Sequence, residues 1–173
     1  MTKAVFCIAP TTQQTEQIVS NLRTAGFMSN DISVLFPDKE STRDFAHEKH
    51  TKAPEGTAVG GTLGMGAGAT LGWLAGIGSL AIPGIGPFIA AGPIMGALSG
   101  AALGAATGGL TGALVGAGIP EYEAKLYEGK IKGGSALISV HAPTSTSVDQ
   151  VKNIFEQAKA VDISTTEEAS VSK

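Results

Sequence analysis

The sequence has no charge along its middle and few aromatic residues. Residues 56–120 contain no aspartate, glutamate, lysine or arginine, and aromatic residues make up 5% of the 173. So long an uncharged stretch excludes a uniformly water-facing globule, and its hydrophobicity excludes a disordered linker. The formal net charge is −3, without a basic cluster. A nucleic-acid partner is therefore not expected, because duplex binding rests on neutralisation of phosphates by lysine and arginine.

Cysteine is almost absent as well. A single residue, Cys7, excludes an intrachain disulfide framework and fits a reducing cytoplasm. We expect Cys7 to be a small buried residue of a strand rather than a redox thiol, because no cation stands near it in the sequence. The apolar run at the N-terminus is too short for a signal peptide, so none is predicted.

The two polar ends of the chain repeat each other at an offset of 133 residues. Ala9-Pro10-Thr11 matches Ala142-Pro143-Thr144, and the likeness continues through Ile18 and Val151 to Leu22 and Phe155. Each copy has an apolar run before the match and Asp-Ile-Ser after it. This pattern predicts a strand, a helix and a second strand in each copy.

Two strand-helix-strand units predict an α+β fold of the ferredoxin-like split βαβ type, with four antiparallel strands and both helices on one face. The charge-free block is then an insertion. The predicted divisions follow the chain: 1–37 and 134–165 are the two halves of the α+β domain, 38–55 is a polar connector, 56–120 is a helical hairpin, 121–133 is an amphipathic helix and 166–173 is a flexible tail.

Glycine recurs at every fourth position in two series within the insertion, which we call the glycine zipper. It comprises Gly56, Gly60, Gly64, Gly68, Gly72, Gly76, Gly92, Gly96, Gly100, Gly104, Gly108, Gly112 and Gly116. Residues four apart lie along one ridge of a helix, so this spacing predicts two helices with grooves that allow close packing of backbones. Self-association into a homo-oligomer is therefore expected.

Glycine disfavours helix in water, which indicates a special environment for the hairpin. The nine glycines between Gly92 and Gly118 cost roughly 7–9 kcal/mol of helix propensity against alanine. The segments 57–82 and 93–119 are long enough to span a bilayer as transmembrane helices. A membrane-inserted hairpin is the first expectation. The alternatives are a re-entrant hairpin, burial in the centre of a large soluble oligomer, and loose order.

Few residues are candidates for chemistry. The two strand-helix turns place hydroxyls at helix N-termini, where they could contact an anion or simply cap the helix: Thr11, Thr12, Thr144 and Ser145. His47 and His50 have the spacing of two metal ligands but no third partner nearby, so a solvated connector is expected there. No catalytic residue, cofactor-binding residue or metal site is predicted, and no cofactor is expected.

Three segments carry a family resemblance: 81–87 (Ala-Ile-Pro-Gly-Ile-Gly-Pro), 118–123 (Gly-Ile-Pro-Glu-Tyr-Glu) and 126–134 (Leu-Tyr-Glu-Gly-Lys-Ile-Lys-Gly-Gly). Over about residues 3–165 the chain resembles the bacterial general-stress or low-temperature-induced proteins, many of which are domains of unknown function. The resemblance implies a bacterial, non-enzymatic, membrane-associated stress protein. It supplies no catalytic residues.

Two functional hypotheses follow. In the first, the protein is a non-enzymatic stress protein of the bacterial inner membrane, with both termini cytoplasmic and with the lipid bilayer and its own copies as partners. In the second, it is a soluble cytoplasmic homo-oligomer that senses or binds an unidentified small ligand, with the hairpins forming the core of the oligomer.

Overall fold

The computed structural model of the chain describes residues 3–37, 78–82, 86–91, 102–116 and 118–167. These residues form an α+β fold, which confirms the predicted class. In chain order the elements are β1 (Lys3–Ala9), α1 (Thr12–Thr24), β2 (Ile32–Pro37), β3 (Gly78–Ile82), β4 (Gly86–Ala91), α2 (Ala102–Gly116), α3 (Glu121–Lys132), β5 (Ala136–Ala142), α4 (Ser145–Gln157) and β6 (Val161–Glu167).

The two copies of the sequence repeat have the same backbone conformation after their helices. Gly26 lies two residues after helix α1, and its φ of +96° is the left-handed conformation that glycine adopts without strain. Lys159 lies two residues after helix α4, 133 residues later, and has the same kind of conformation with a φ of +56°. The amide of the next residue then bonds back to the helix in both copies, from Phe27 to the Leu22 carbonyl and from Ala160 to the Phe155 carbonyl.

The strands form one antiparallel sheet in the order β3-β4-β2-β5-β1-β6. The four strands of the repeat, β2-β5-β1-β6, are contiguous within it. In the central pair Lys3 lies opposite Ala142 and Ala9 opposite Ala136. Strands β4 and β3 extend this sheet beyond β2 and were not predicted.

Both faces of the sheet are covered by helices. Along β1, Val5, Cys7 and Ala9 belong to a core shared with α1 and α4. The alternate residues of β1 belong to a second core with α2 and α3, which contains Ala4, Phe6, Ile8, Leu35, Leu110, Ala113, Leu114, Ile119, Ala124, Tyr127, Ile131 and Leu137. The sequence predicts helices on one face only; the end of the insertion and the amphipathic helix cover the other.

The predicted helical hairpin is wrong at the end of its first segment and at its tip, whereas α2 lies within the predicted second segment, 93–119. Residues 78–82, the end of the predicted first segment 57–82, and residues 86–91, between the two predicted segments, are paired strands. Helix α2 has 15 residues and is broken at Gly109, where φ is 60° and ψ is −148°. Glycine spacing alone could not distinguish helix from strand here, because glycine has a low helix propensity. The prolines at 83 and 87 would also interrupt a helix.

The prediction of a transmembrane protein is also wrong for this part of the chain. Within the described ranges, no helix combines the length and apolar character that a membrane crossing requires. Residues 56–77, 83–85, 92–101 and 117 of the predicted hairpin lie outside the described residues, as do the connector 38–55 and residues 168–173 of the predicted tail.

Candidate functional site

The hydroxyls predicted to contact an anion cap the two repeated helices. Thr11 Oγ1 accepts a hydrogen bond from the Gln14 amide at 3.2 Å, and Thr144 Oγ1 accepts one from the Ser147 amide at 3.1 Å. These are the N-caps of α1 and α4, while Thr12 and Ser145 are the first helical residues. The caps satisfy helix amides that would otherwise lack a partner.

The structure does not bring these two turns together. Strands β1 and β5 are antiparallel along their full length, so the turn after β1 and the turn after β5 lie at opposite ends of the sheet. Thr11 and Thr12 therefore cannot share one small ligand with Thr144 and Ser145.

The surroundings of the two turns also differ. Beside the first turn, Gln14 Nε2 donates to the carbonyls of Ala158 and Lys159 at 2.7 and 2.9 Å and so ties the start of α1 to the end of α4. The equivalent residue of α4 is Ser147, whose side chain is two atoms shorter. At that end an open groove of about 640 Å³ separates the helices, with Asn21, Thr24, Thr146 and Gln150 among the residues of its lining. Each of these four side chains is exposed, so the groove defines no ligand class.

A chain of hydrogen bonds fastens α3 to the edge strand β6. Ser164 Oγ donates to the Glu123 carboxylate at 2.8 Å, so it accepts from the Tyr127 hydroxyl, which lies 2.6 Å away. Burial raises the pKa of Tyr127 to about 12, although the bond to Ser164 acts in the opposite direction; Glu123, Asp162 and Cys7 add to the rise. Tyr127 is therefore neutral near pH 7 and acts as a donor in this chain.

Strand β6 has a β-bulge close to the hydrogen bonds that join Tyr127, Ser164 and Glu123. The pairing with β1 shifts between Phe6 and Ile8, and Asp162 has a φ of +52°. The Asp162 carboxylate lies 3.8 Å from Lys130 Nζ. Bulges and charged side chains protect the edge strands of sheets from pairing with other chains. This role explains both the bulge in β6 and the charged Asp162 beside it.

Glu128 of α3 caps the second half of α2. The break at Gly109 leaves the amides that follow it without helical partners, and the Glu128 carboxylate accepts from the Thr111 amide at 2.9 Å and from the Thr111 hydroxyl. Lys132 pairs with the same carboxylate at 2.5 Å. Burial raises the pKa of Glu128, but the bonds to Lys132 and Thr111 outweigh it, so the pKa lies below its ordinary value.

Replacing Glu128 with glutamine is expected to cost about 1–2 kcal/mol at neutral pH, because a charge-assisted bond at a helix N-terminus becomes a neutral one. A lowered carboxylate pKa stabilises the fold fully above its ordinary value of 4.5, and this contribution is lost as pH falls through the lowered value. Urea unfolding of both proteins between pH 3 and 7 measures this, with Glu156→Gln as an exposed control. A difference that does not shrink towards pH 3 would contradict it.

The described part of the glycine zipper lies in α2, at Gly104, Gly108, Gly112 and Gly116. In its second half Leu110, Ala113 and Leu114 are buried against the sheet. Gly112 is half-buried, and Gly116 and Val115 are exposed. This glycine face points away from the core. Outside the described residues lie Gly56, Gly60, Gly64, Gly68, Gly72, Gly76, Gly92, Gly96 and Gly100.

Two further candidates have simple outcomes. Cys7 is buried, and burial raises its pKa, so the thiol is not poised for redox chemistry. Across the described ranges, no group of three or more histidine, cysteine, aspartate or glutamate side chains could hold a metal. His47 and His50 lie outside those ranges.

The polar contacts of α3 were missed by sequence reasoning. Its amphipathic pattern indicated a helix, but Glu123, Tyr127 and Glu128 find partners 17 to 41 residues away along the chain. The alternation of acidic and basic residues along α3 was the only local signal.

Scans against family models, curated proteins and solved structures each return no match to this chain. The resemblance to the bacterial general-stress proteins stays a prediction.

Proposed function

We propose that the protein is a non-enzymatic, self-associating interaction module. In this proposal a ferredoxin-like split βαβ domain, formed by the two repeated halves, carries the glycine-rich insertion as an assembly element. The strand order β2-β5-β1-β6 and the shared geometry of the helix ends support the assignment of the halves to one repeated unit. A role in bacterial stress is part of the proposal and rests on the three segments that carry the family resemblance.

The orientation of α2 is the observation that carries self-association. Leu110 and Leu114 are buried against the sheet, while Gly112 and Gly116 point outward beside Val115, which is 42% exposed. A glycine face turned towards the protein's own core would be explained by packing within the chain. A glycine face turned outward lowers helix propensity without any compensating contact inside the chain. Close packing against the backbone of a second copy would compensate for this cost.

Replacing Gly112 and Gly116 together with leucine is expected to lower the mass of the assembly, because the added side chains prevent close approach of two backbones. Helix propensity itself improves by roughly 0.8–1 kcal/mol at each position, so α2 should persist. Sedimentation velocity at fixed protein concentration measures the mass, and circular dichroism checks the fold. Ser20→Leu, on the exposed face of α1, is the control for an added surface leucine. An unchanged mass would overturn the proposal.

A further inference from the structure

Helix α2 is bent at a single residue, Gly109. Its φ of 60° and ψ of −148° lie outside the helical range, in a region of backbone space that is open almost only to glycine. The bend divides α2 into a first half, 102–108, and a second half, 110–116. Backbone conformations of this kind persist where the surrounding structure holds them, and they are concentrated in binding sites and in elements that switch.

The contact that holds the bend joins Thr111 to Glu128. The Thr111 amide donates to the Glu128 carboxylate at 2.9 Å, and the Thr111 hydroxyl bonds to the same carboxylate. In an unbroken α-helix this amide would instead donate to the carbonyl four residues earlier, which belongs to Thr107. The Thr111 amide therefore has two alternative acceptors, one for each shape of α2, and it is satisfied in both shapes.

We propose that α2 is a two-position joint, bent at Gly109 when Glu128 accepts from the Thr111 amide and continuous when the Thr107 carbonyl accepts from it. The bent shape has a charge-assisted hydrogen bond that the continuous shape lacks. The continuous shape has a helical backbone at Gly109 and an uninterrupted series of helical hydrogen bonds. An element with two satisfied arrangements is what a conformational switch requires.

The two shapes of α2 present different glycine surfaces. Its zipper glycines stand four residues apart and lie along one ridge when the helix is continuous: Gly104, Gly108, Gly112 and Gly116. The bend at Gly109 divides this ridge into two pairs. A continuous α2 offers a second copy twice the length of close-packing surface, so the joint controls how strongly copies associate. This consequence rests on the proposed self-association, whereas the joint itself does not.

A double-mutant cycle in urea unfolding of the full chain, at matched protein concentration, tests the joint. In the original protein Glu128→Gln should lower the folded-to-unfolded ratio by about 5- to 30-fold. Gly109→Ala excludes the bent shape, because alanine is strained in the backbone conformation of the bend and favoured in a helix. In that background Glu128→Gln should change the ratio by less than about twofold. An equal loss in both backgrounds would overturn the joint.

Hydrogen exchange tests the joint without the alanine variant. Glu128→Ala removes the acceptor that holds the bend, so α2 should become continuous and the Gly112 amide should donate to the Gly108 carbonyl. Exchange at Gly112 should then slow by about tenfold. Lys132→Met is the control, because it removes the ion pair of Glu128 and keeps the contact with Thr111. Unchanged or faster exchange at Gly112 in Glu128→Ala would overturn the joint.

Sedimentation velocity separates the joint from its effect on assembly. Gly109→Ala should raise the mass of the assembly, whereas Gly129→Ala, at a site where a Cβ meets nothing within 4 Å, is the control for added helix propensity. If the mass responds neither to Gly109→Ala nor to leucine at 112 and 116, self-association is wrong and the joint stands on the first two tests. If leucine lowers the mass and Gly109→Ala leaves it unchanged, control of assembly by the joint is wrong.

Discussion

Replacing Phe155 with alanine is expected to lower the free energy of unfolding by about 3–5 kcal/mol, the range typical of a large side chain removed from a packed core. Phe155 is 0% exposed and belongs to the core that α1 and α4 form on one face of the sheet. It also precedes the bend after α4, where its carbonyl accepts the Ala160 amide. The loss combines apolar surface no longer buried with the cavity left between α4 and the sheet.

The repeat supplies a matched experiment. Leu22 occupies the same position in the first copy and is equally buried, so Leu22→Ala should cost about 2–5 kcal/mol. Asn153→Ala, on the exposed side of α4, should stay within about 0.5 kcal/mol of the original protein. Urea unfolding at one fixed protein concentration gives the three values, since the proposed self-association would couple to stability. A Phe155→Ala cost no larger than that of Asn153→Ala would contradict this account of the core.

The repeated half of the fold was predictable because its signals are local. Pro10 and Pro143 end apolar runs, and Thr11 and Thr144 are residues whose side chains cap helices. The strands 3–9 and 136–142 follow directly from these signals. The offset match also pairs Leu22 with Phe155, and both are fully buried in the structure.

The glycine-rich half was not predictable in the same way. A glycine every fourth residue marks where a helix could pack closely, but it adds no preference for helix over strand. The pairing of β4 with β2 depends on a free sheet edge, which is a property of the folded domain rather than of residues 86–91. Similarly, the Thr111 amide that follows the break at Gly109 can donate to Glu128 only when α3 lies beside α2.

The candidate site shows the same limit. Sequence pattern could identify Thr11 and Thr144 as cap residues, but only the antiparallel register of β1 and β5 places them at opposite ends of the sheet. The two copies differ where α1 and α4 approach each other: Gln14 bonds to the end of α4, and the equivalent residue in the second copy is Ser147. That difference is visible in the sequence, and its meaning depends on how close α1 and α4 lie.

Replacing Tyr127 with alanine is expected to cost about 3–5 kcal/mol, because the residue links α3 to two strands at once. Its ring is 1% exposed and stacks on Phe6 of β1 with ring centroids 6.4 Å apart. Its hydroxyl reaches Ser164 of β6. Tyr127→Phe keeps the ring and loses only the contacts of the hydroxyl with Ser164 and with the Asp162 carbonyl, 3.3 Å away, so it should cost about 0.5–1.5 kcal/mol.

Alkaline pH provides an independent test of the same residue. The pKa of Tyr127 is raised from 10 to about 12 in the folded protein, so its contribution is complete below pH 10 and is lost as pH rises towards 12. The original protein should therefore lose stability over this range more steeply than Tyr127→Phe, in urea unfolding at matched protein concentration. Tyr122→Phe, at the exposed tyrosine, is the control and should follow the original protein. Equal costs for the alanine and phenylalanine variants, or parallel alkaline profiles, would show that α3 is not held to the sheet through the ring and hydroxyl of Tyr127.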